Sequence, residues 1–387
     1  MTVCAIETTT ATPATPAAAP FTIAADGSYA ARLAGDGEAL YAERWTLGPE
    51  VYAVPLPLAQ PEEADSEVLP LSDGRVLIHR RVADRHAFAL LYPTGAAAGP
   101  RTGELPLGSV GAQEGVRVRL LPPSPDGSCA FALAVSDTAS TVWQVAGGGA
   151  PGPRRVARIP GRCSGGVWLD RTGRMLALDR TSDGVTKAVA VDLAGPVGAE
   201  GGAGSEVSPL LQIAEGSDDR LLLADPDSGL LLIRSDAPGQ PRLGWGVLGS
   251  SLPVRFPECL RAQGLADAVP FAVQPGQALM PETCGVALRT GPPGPAAGLA
   301  LWRPADRHVL RLGPPVGWLG GTGLWSREGR LHLPYATPEV PCGILGTILP
   351  VAPPPPVRLD PPPESAPRPV PLQQAPLGRP TAVRSRA

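Results

Sequence analysis

The stretch SPDGSCAFALAV, Ser124 to Val135, places a Pro-Asp-Gly turn directly before a run of apolar residues, and another apolar run precedes it. Glycine at the end of such a turn adopts a positive φ at no steric cost, so the stretch predicts two antiparallel strands joined by a tight hairpin. The turn carries no residue pattern typical of catalysis. It therefore predicts a fold and leaves the chemistry open.

The same pattern recurs along the chain at intervals of 44 to 56 residues. Its anchor glycines are Gly27, Gly74, Gly127, Gly173, Gly229, Gly285 and Gly329. A further apolar segment follows most anchors after another 16 to 18 residues, and Trp143, Trp245 and Trp302 occupy matching positions in it. These indoles are expected to be buried third-strand residues. Recurrence at intervals of this length indicates a repeat architecture.

Each repeat contains about four short apolar segments, which is typical of one blade of a β-propeller. The second segment of each repeat is apolar at consecutive positions, as expected for a strand that is covered on both faces. The sequence thus predicts an all-β protein, a β-propeller of seven four-stranded blades in a single domain over residues 1–349. Six or eight blades, or tandem β-sandwiches, are the alternatives. One short helix is expected at Pro257 to Val269.

The Ser124-Pro125-Asp126-Gly127 turn and its degenerate copies resemble the repeat of TolB-like and WD40-like bacterial β-propellers. The resemblance covers about residues 21 to 349 and implies an architecture only. The Trp-Asp and Gly-His signatures of eukaryotic WD40 repeats are absent from the sequence.

The two ends of the chain carry separate expectations. The last repeat lacks a clear fourth strand, and residues 2–9 are rich in β-branched side chains, so this N-terminal segment is predicted to pair with the last blade and close the ring. A disordered N-terminus is the alternative. Residues 350–387 are rich in proline, which cannot donate a ladder hydrogen bond, and predict a disordered tail.

Composition excludes several classes of partner. The net charge of −3 offers no general attraction to nucleic acid, and no apolar run is long enough for a membrane helix, so neither nucleic-acid binding nor membrane insertion is expected. The N-terminus lacks the features of a secretory signal, and the six cysteines form no C-x-x-C pair. These features predict a cytoplasmic protein with reduced thiols.

Candidate binding residues follow from the predicted hairpins between second and third strands, which should gather at one mouth of the channel. They are Arg80, Arg81, Arg85, Asp179, Arg180 and Asp183. The residues predict a polar pocket or a partner surface; solvated turns are the alternative.

Catalytic, metal and cofactor motifs are absent from the sequence. The four histidines form no ligand pair, and the Gly-rich segments lack the lysine and following helix of a phosphate loop. Cys163 and Ser164 lie in a predicted loop with no histidine nearby. We therefore expect no catalytic residue, metal or cofactor, and a non-enzymatic scaffold or sensor that binds a protein partner or a small ligand at the channel mouth. The alternative is a hydrolase or lyase that uses the same mouth.

Overall fold

The computed structural model describes residues 21–349 except 96–100, 112–113, 150–151, 195–206, 263, 276–279 and 295. The strands of the first half are β1 (Thr22–Ile23), β2 (Tyr29–Ala34), β3 (Tyr41–Thr46), β4 (Tyr52–Leu56), β5 (Glu67–Pro70), β6 (Val76–Val82), β7 (Arg85–Thr94), β8 (Arg101–Gly111), β9 (Arg117–Leu120), β10 (Ala130–Val135), β11 (Ala139–Ala146) and β12 (Arg154–Pro160).

The strands of the second half are β13 (Arg162–Trp168), β14 (Met175–Ser182), β15 (Val185–Asp192), β16 (Val207–Pro209), β17 (Asp219–Ala224), β18 (Leu230–Ser235), β19 (Arg242–Val247), β20 (Val269–Val273), β21 (Val286–Thr290), β22 (Gly298–Trp302), β23 (Leu310–Leu312), β24 (Leu324–Trp325), β25 (Arg330–Tyr335) and β26 (Gly343–Ile348). Two short 3₁₀ helices, Glu258–Arg261 and Pro281–Thr283, are the helices among the described residues. The first replaces the longer helix expected at Pro257 to Val269.

Within the described residues the strands form seven successive antiparallel sets, here called units 1 to 7. Unit 1 is β1–β4, unit 2 is β5–β8, unit 3 is β9–β12, unit 4 is β13–β16, unit 5 is β17–β19, unit 6 is β20–β23 and unit 7 is β24–β26. Units 4 and 5 share one sheet through a single parallel pair, Lys187 with Asp219. Lys187, the only lysine of the chain, also forms a 2.7 Å ion pair with the buried Asp219 there.

The turn at Ser124 to Gly127 lies in a β-hairpin between β9 and β10, as predicted. Gly127 has φ 71°, and the Asp126 carboxylate accepts hydrogen bonds from the N–H groups of Ser128 and Cys129, both at 3.1 Å. Five other anchor glycines also have positive φ; Gly285 does not. Gly285 follows the second 3₁₀ helix, and its carbonyl accepts a hydrogen bond from Gln274, so the inserted helix takes over the role of the turn there.

The second strands bury both faces, as their consecutive apolar residues predict. In β6, Val76 and Ile78 pack against unit 1, whereas Leu77 between them packs against unit 3. Burying each aliphatic side chain of this size contributes about 1.5–3 kcal/mol. Each unit is therefore held between its two neighbours by alternate residues of the same strand.

The units close into a ring. The described residues contain seven clusters of buried side chains, and each cluster joins two neighbouring units. One cluster packs Trp45 of unit 1 and the adjoining Phe21 against Leu319, Ala336 and Cys342, which adjoin the strands of unit 7. The fold is an all-β propeller. The predicted N-terminal strand 2–9 and the predicted tail 350–387 lie outside the described residues.

Candidate binding site in the central channel

A cavity of about 650 Å³ lies on the axis of the ring. Every unit contributes a residue to its wall: Ile23, Glu67, Arg119, Asp179, Leu221, Phe271 and Leu324 represent units 1 to 7 in order. Most of these residues belong to the first strand of their unit or border it, since the first strands are innermost. The volume is within the range of small-molecule sites.

Asp179 is a buried carboxyl group in this wall, with 5% of its surface exposed. It lies on β14, and its Oδ1 accepts a hydrogen bond of 3.0 Å from the Leu221 N–H of unit 5. Burial disfavours the ionised form and raises the pKa of Asp179 to about 6, although the Leu221 hydrogen bond and the charges of Arg220 and Arg119 oppose the shift. The group therefore titrates close to neutral pH.

Arg119 supplies a positive charge to the same wall from β9 of unit 3. Its guanidinium donates a hydrogen bond to the Gly165 carbonyl of unit 4. Burial lowers the pKa of Arg119, and the negative charges of Glu67 and Asp179 oppose that shift. Among the described residues, Arg119 forms no ion pair within 4 Å, so its remaining N–H donors are not committed to a carboxylate.

Glu67 is the second carboxylate of the wall, and it is the first member of a hydrogen-bonded series of side chains within unit 2. Its Oε2 accepts a 2.6 Å hydrogen bond from the Leu120 N–H of unit 3 and lies 3.3 Å from His79 Nδ1. His79 Nε2 is 2.9 Å from Nδ1 of His86, and both imidazoles are buried. Burial and the neighbouring charges of His79 and Arg81 lower the pKa of His86.

These polar side chains also join neighbouring units. Glu67, Arg119 and Asp179 each hydrogen-bond the backbone of the next unit, and three further arginines do the same elsewhere in the ring. The three are Arg44 to Gly74 (3.1 Å), Arg234 to Ala268 (2.8 Å) and Arg289 to Gly320 (3.4 Å). Among the described residues, six of the seven junctions thus have a side-chain to backbone bond of this kind, so the channel charges stabilise the ring as well as line the cavity.

Of the six residues predicted to form the site, Asp179 lines the cavity and the other five lie elsewhere. Arg80 forms 2.6 Å ion pairs with Glu62 and Glu104. Arg81 and Arg85 flank the hairpin between β6 and β7 and are exposed. Arg180 follows Asp179 on β14, and Asp183 occupies the next hairpin turn with φ 52°. The structure therefore does not gather the six residues around one cavity.

Glu67 and Arg119 were missed by the sequence reasoning. In the structure Glu67 begins β5, and Glu62 in the acidic segment before it is buried against Arg80. The available signal was a charge within a first strand, because first strands face the axis.

Other candidates from the sequence have structural roles. Cys163 is buried on β13, its N–H donates to Ser140 Oγ at 2.8 Å, and burial raises the pKa of its thiol, which weakens it as a nucleophile. Among the described residues, no three His, Cys, Asp or Glu side chains are grouped to hold a metal ion. The helices in the described part of the chain are too short to span a membrane.

Comparison with known proteins gives similarity of structure only. No protein-family model matches the sequence, and no match to it was found among curated proteins. TolB from Acinetobacter baumannii is 11% identical with a TM-score of 0.41, covering 84% of this chain and 81% of that chain. The β-propeller domain of the Trilobed protease from Pyrococcus furiosus is 8% identical with a TM-score of 0.48, covering 85% and 95%. Oligogalacturonate lyase from Vibrio parahaemolyticus is 9% identical with a TM-score of 0.48, covering 82% and 85%.

Proposed function

We propose that this propeller is a non-enzymatic binding protein, a sensor or scaffold, whose central channel holds a small molecule carrying both a positive and a negative group. The observation that carries the proposal is the pair of opposite charges in one cavity wall: Asp179 is buried, Arg119 is half-buried, and no ion pair joins them. A buried charge without a counter-ion is unfavourable, so a ligand that supplies both counter-charges would be stabilised there. Phe271 and Leu324 would cover its apolar part.

The experiment is purification of the full chain from its native host, followed by native mass spectrometry for a bound molecule. We expect a stoichiometric small molecule, and we expect Asp179→Asn and Arg119→Met to lose it. Arg85→Met is the matched control, because Arg85 is an exposed hairpin residue outside the cavity. A stoichiometric protein in place of the small molecule would favour the scaffold. A small molecule retained by both channel variants would disprove the channel as the site.

An enzyme is the second candidate, as a hydrolase or lyase, and one observation favours it. The pKa of about 6 at Asp179 is near the optimum for a general base at neutral pH. If turnover of any substrate is found, its rate should rise through about pH 6, and Asp179→Asn should abolish it. Turnover unaffected by Asp179→Asn would exclude this role.

We also propose a cytoplasmic location. Support comes from the cysteines, since all five that the structure describes are free thiols. Fractionation of the native host with an antibody against the chain tests the location, and an extracellular signal would overturn it.

A further inference from the structure

One third-strand tryptophan departs from the pattern of the others. Trp45, Trp245 and Trp302 are at most 4% exposed, as expected for Trp245 and Trp302, whereas Trp143 of β11 is only half-buried. Its indole packs against the core between units 2 and 3 and also lines a cleft of about 440 Å³ at the outer part of that junction. The departure from the repeat thus coincides with a cavity separate from the channel.

A β-bulge turns two arginines into this cleft. On β12, Arg155 pairs with Trp143 and Arg158 pairs with Thr141 of β11, with a register shift between these pairs. Residues three apart on a regular strand face opposite sides of the sheet, but a bulge adds one residue and restores the same side. Both arginines therefore line the cleft beside Thr141 and Trp143.

The two guanidinium groups have no counter-charge within the described part of the chain. Neither Arg155 nor Arg158 takes part in an ion pair or side-chain hydrogen bond there, whereas the adjacent Arg154 donates to Gln144 at 2.7 Å. Two acidic side chains close in sequence to the lining of the cleft, Glu114 and Asp137, line a neighbouring cavity that shares only Val116 and Ser136 with it.

Unit 5 contains the corresponding pair of residues in a different arrangement. Arg255 pairs with Trp245 there, and its guanidinium lies over the indole at 5.0 Å from the ring centre. No described guanidinium covers Trp143 in this way. Small residues, Gly111, Ala134 and Ala139, leave the cleft open beside the indole.

We propose that this cleft is a second binding site, for a small anion that carries a planar ring. The ring would pack on the indole of Trp143, and the anionic group would accept hydrogen bonds from Arg155 and Arg158, whose planar forks match phosphate and carboxylate oxygens. Two guanidinium groups suit a dianion best, so the site fits a phosphate monoester on a ring. The site is independent of the function proposed for the channel.

The test is calorimetric titration of the full chain with adenosine monophosphate and, in a separate arm, with the aromatic monoanion indole-3-carboxylate. We expect adenosine monophosphate to bind and both adenosine and inorganic phosphate alone to bind at least about tenfold more weakly, since each lacks half of the recognised group. Binding of indole-3-carboxylate alone would assign the site to carboxylates.

Matched variants locate the binding. Arg155→Gln and Arg158→Gln should each weaken it about tenfold or more, Trp143→Leu should weaken it and abolish any quenching of indole fluorescence, and Arg154→Gln, with the same change in charge on the same strand, should leave it unchanged. Asp179→Asn should also leave it unchanged, which separates this site from the channel. Absence of binding by both anions, or binding that is equal in Arg155→Gln and Arg154→Gln, would overturn the proposal.

Discussion

At the scale of the residue, the pKa of Asp179 makes a prediction about stability. The folded-state pKa of about 6 is above the ordinary value of 3.8, so the folded protein binds this proton more tightly than the unfolded chain does. The stability from this group is therefore present below about pH 4 and is lost as the pH rises through about 6. Two pKa units correspond to about 3 kcal/mol.

Asp179→Asn cannot ionise but keeps an oxygen for the Leu221 N–H, so we expect the variant to be more stable than the natural protein at about pH 8, by up to about 3 kcal/mol, and equal to it near pH 4. Urea unfolding at both pH values measures the difference.

Asp192→Asn is the control of opposite sign, because hydrogen bonds from Arg174 and from the Ala194 N–H lower the pKa of Asp192 to about 2. The stabilisation from the ionised Asp192 carboxylate is present above about pH 3.8, the ordinary pKa, and is lost as the pH falls through about 2. Equal pH profiles for the natural protein and Asp179→Asn would contradict the raised pKa.

At the scale of the element, third-strand tryptophans differ in how much they stabilise their units. Trp302 on β22 is 1% exposed and packs in the core between units 5 and 6, so Trp302→Ala should lower the free energy of unfolding by about 3–5 kcal/mol. Trp143→Ala should lower it by roughly half of that or less, since part of the indole already contacts solvent. Chemical denaturation of the two variants measures both changes. A cost at Trp143 as large as that at Trp302 would show that the cleft is closed in solution.

At the scale of the whole molecule, the outer edge of unit 7 is where residues 2–9 are predicted to add a strand. Within the described residues, β26 pairs with β25 on one side only, and its Leu345 and Ile348 are 43% and 56% exposed. An exposed strand edge with apolar side chains promotes aggregation unless another strand covers it. Residues 2–9 remain our predicted partner, so deletion of residues 1–10 should lower the melting temperature.

Calorimetry of the deleted and full-length chains measures this effect. Each kcal/mol lost lowers the midpoint by roughly 2–4 °C in domains of about 150–250 residues, and the shift is smaller in a larger domain such as this one. Deletion of residues 364–387 is the control and should leave the midpoint unchanged. An unchanged midpoint after removal of residues 1–10 would exclude the closing strand.

Local features of the sequence determined the architecture of the ring. The turn at Gly127 needs a positive φ and a side chain that caps the next N–H groups, and both requirements are met by neighbouring residues, so the hairpin can be recognised without knowledge of the rest of the chain. The positions of Trp245 and Trp302 follow from the same spacing. The consecutive apolar residues Val76 to Ile78 indicate a strand that is covered on both faces, and units 1 and 3 cover it in the structure.

Only the tertiary structure decided where the charges meet. Asp179 and Arg119 are 60 positions apart in sequence and reach one cavity because units 3 and 4 are adjacent in the ring. Arg155 and Arg158 face the same cleft because of a bulge, and no propensity of the residues around them indicates that bulge. Turn preference and periodicity are properties of a few consecutive residues, whereas the wall of a cavity depends on strand register and on which units touch, and these are set by packing across the whole ring.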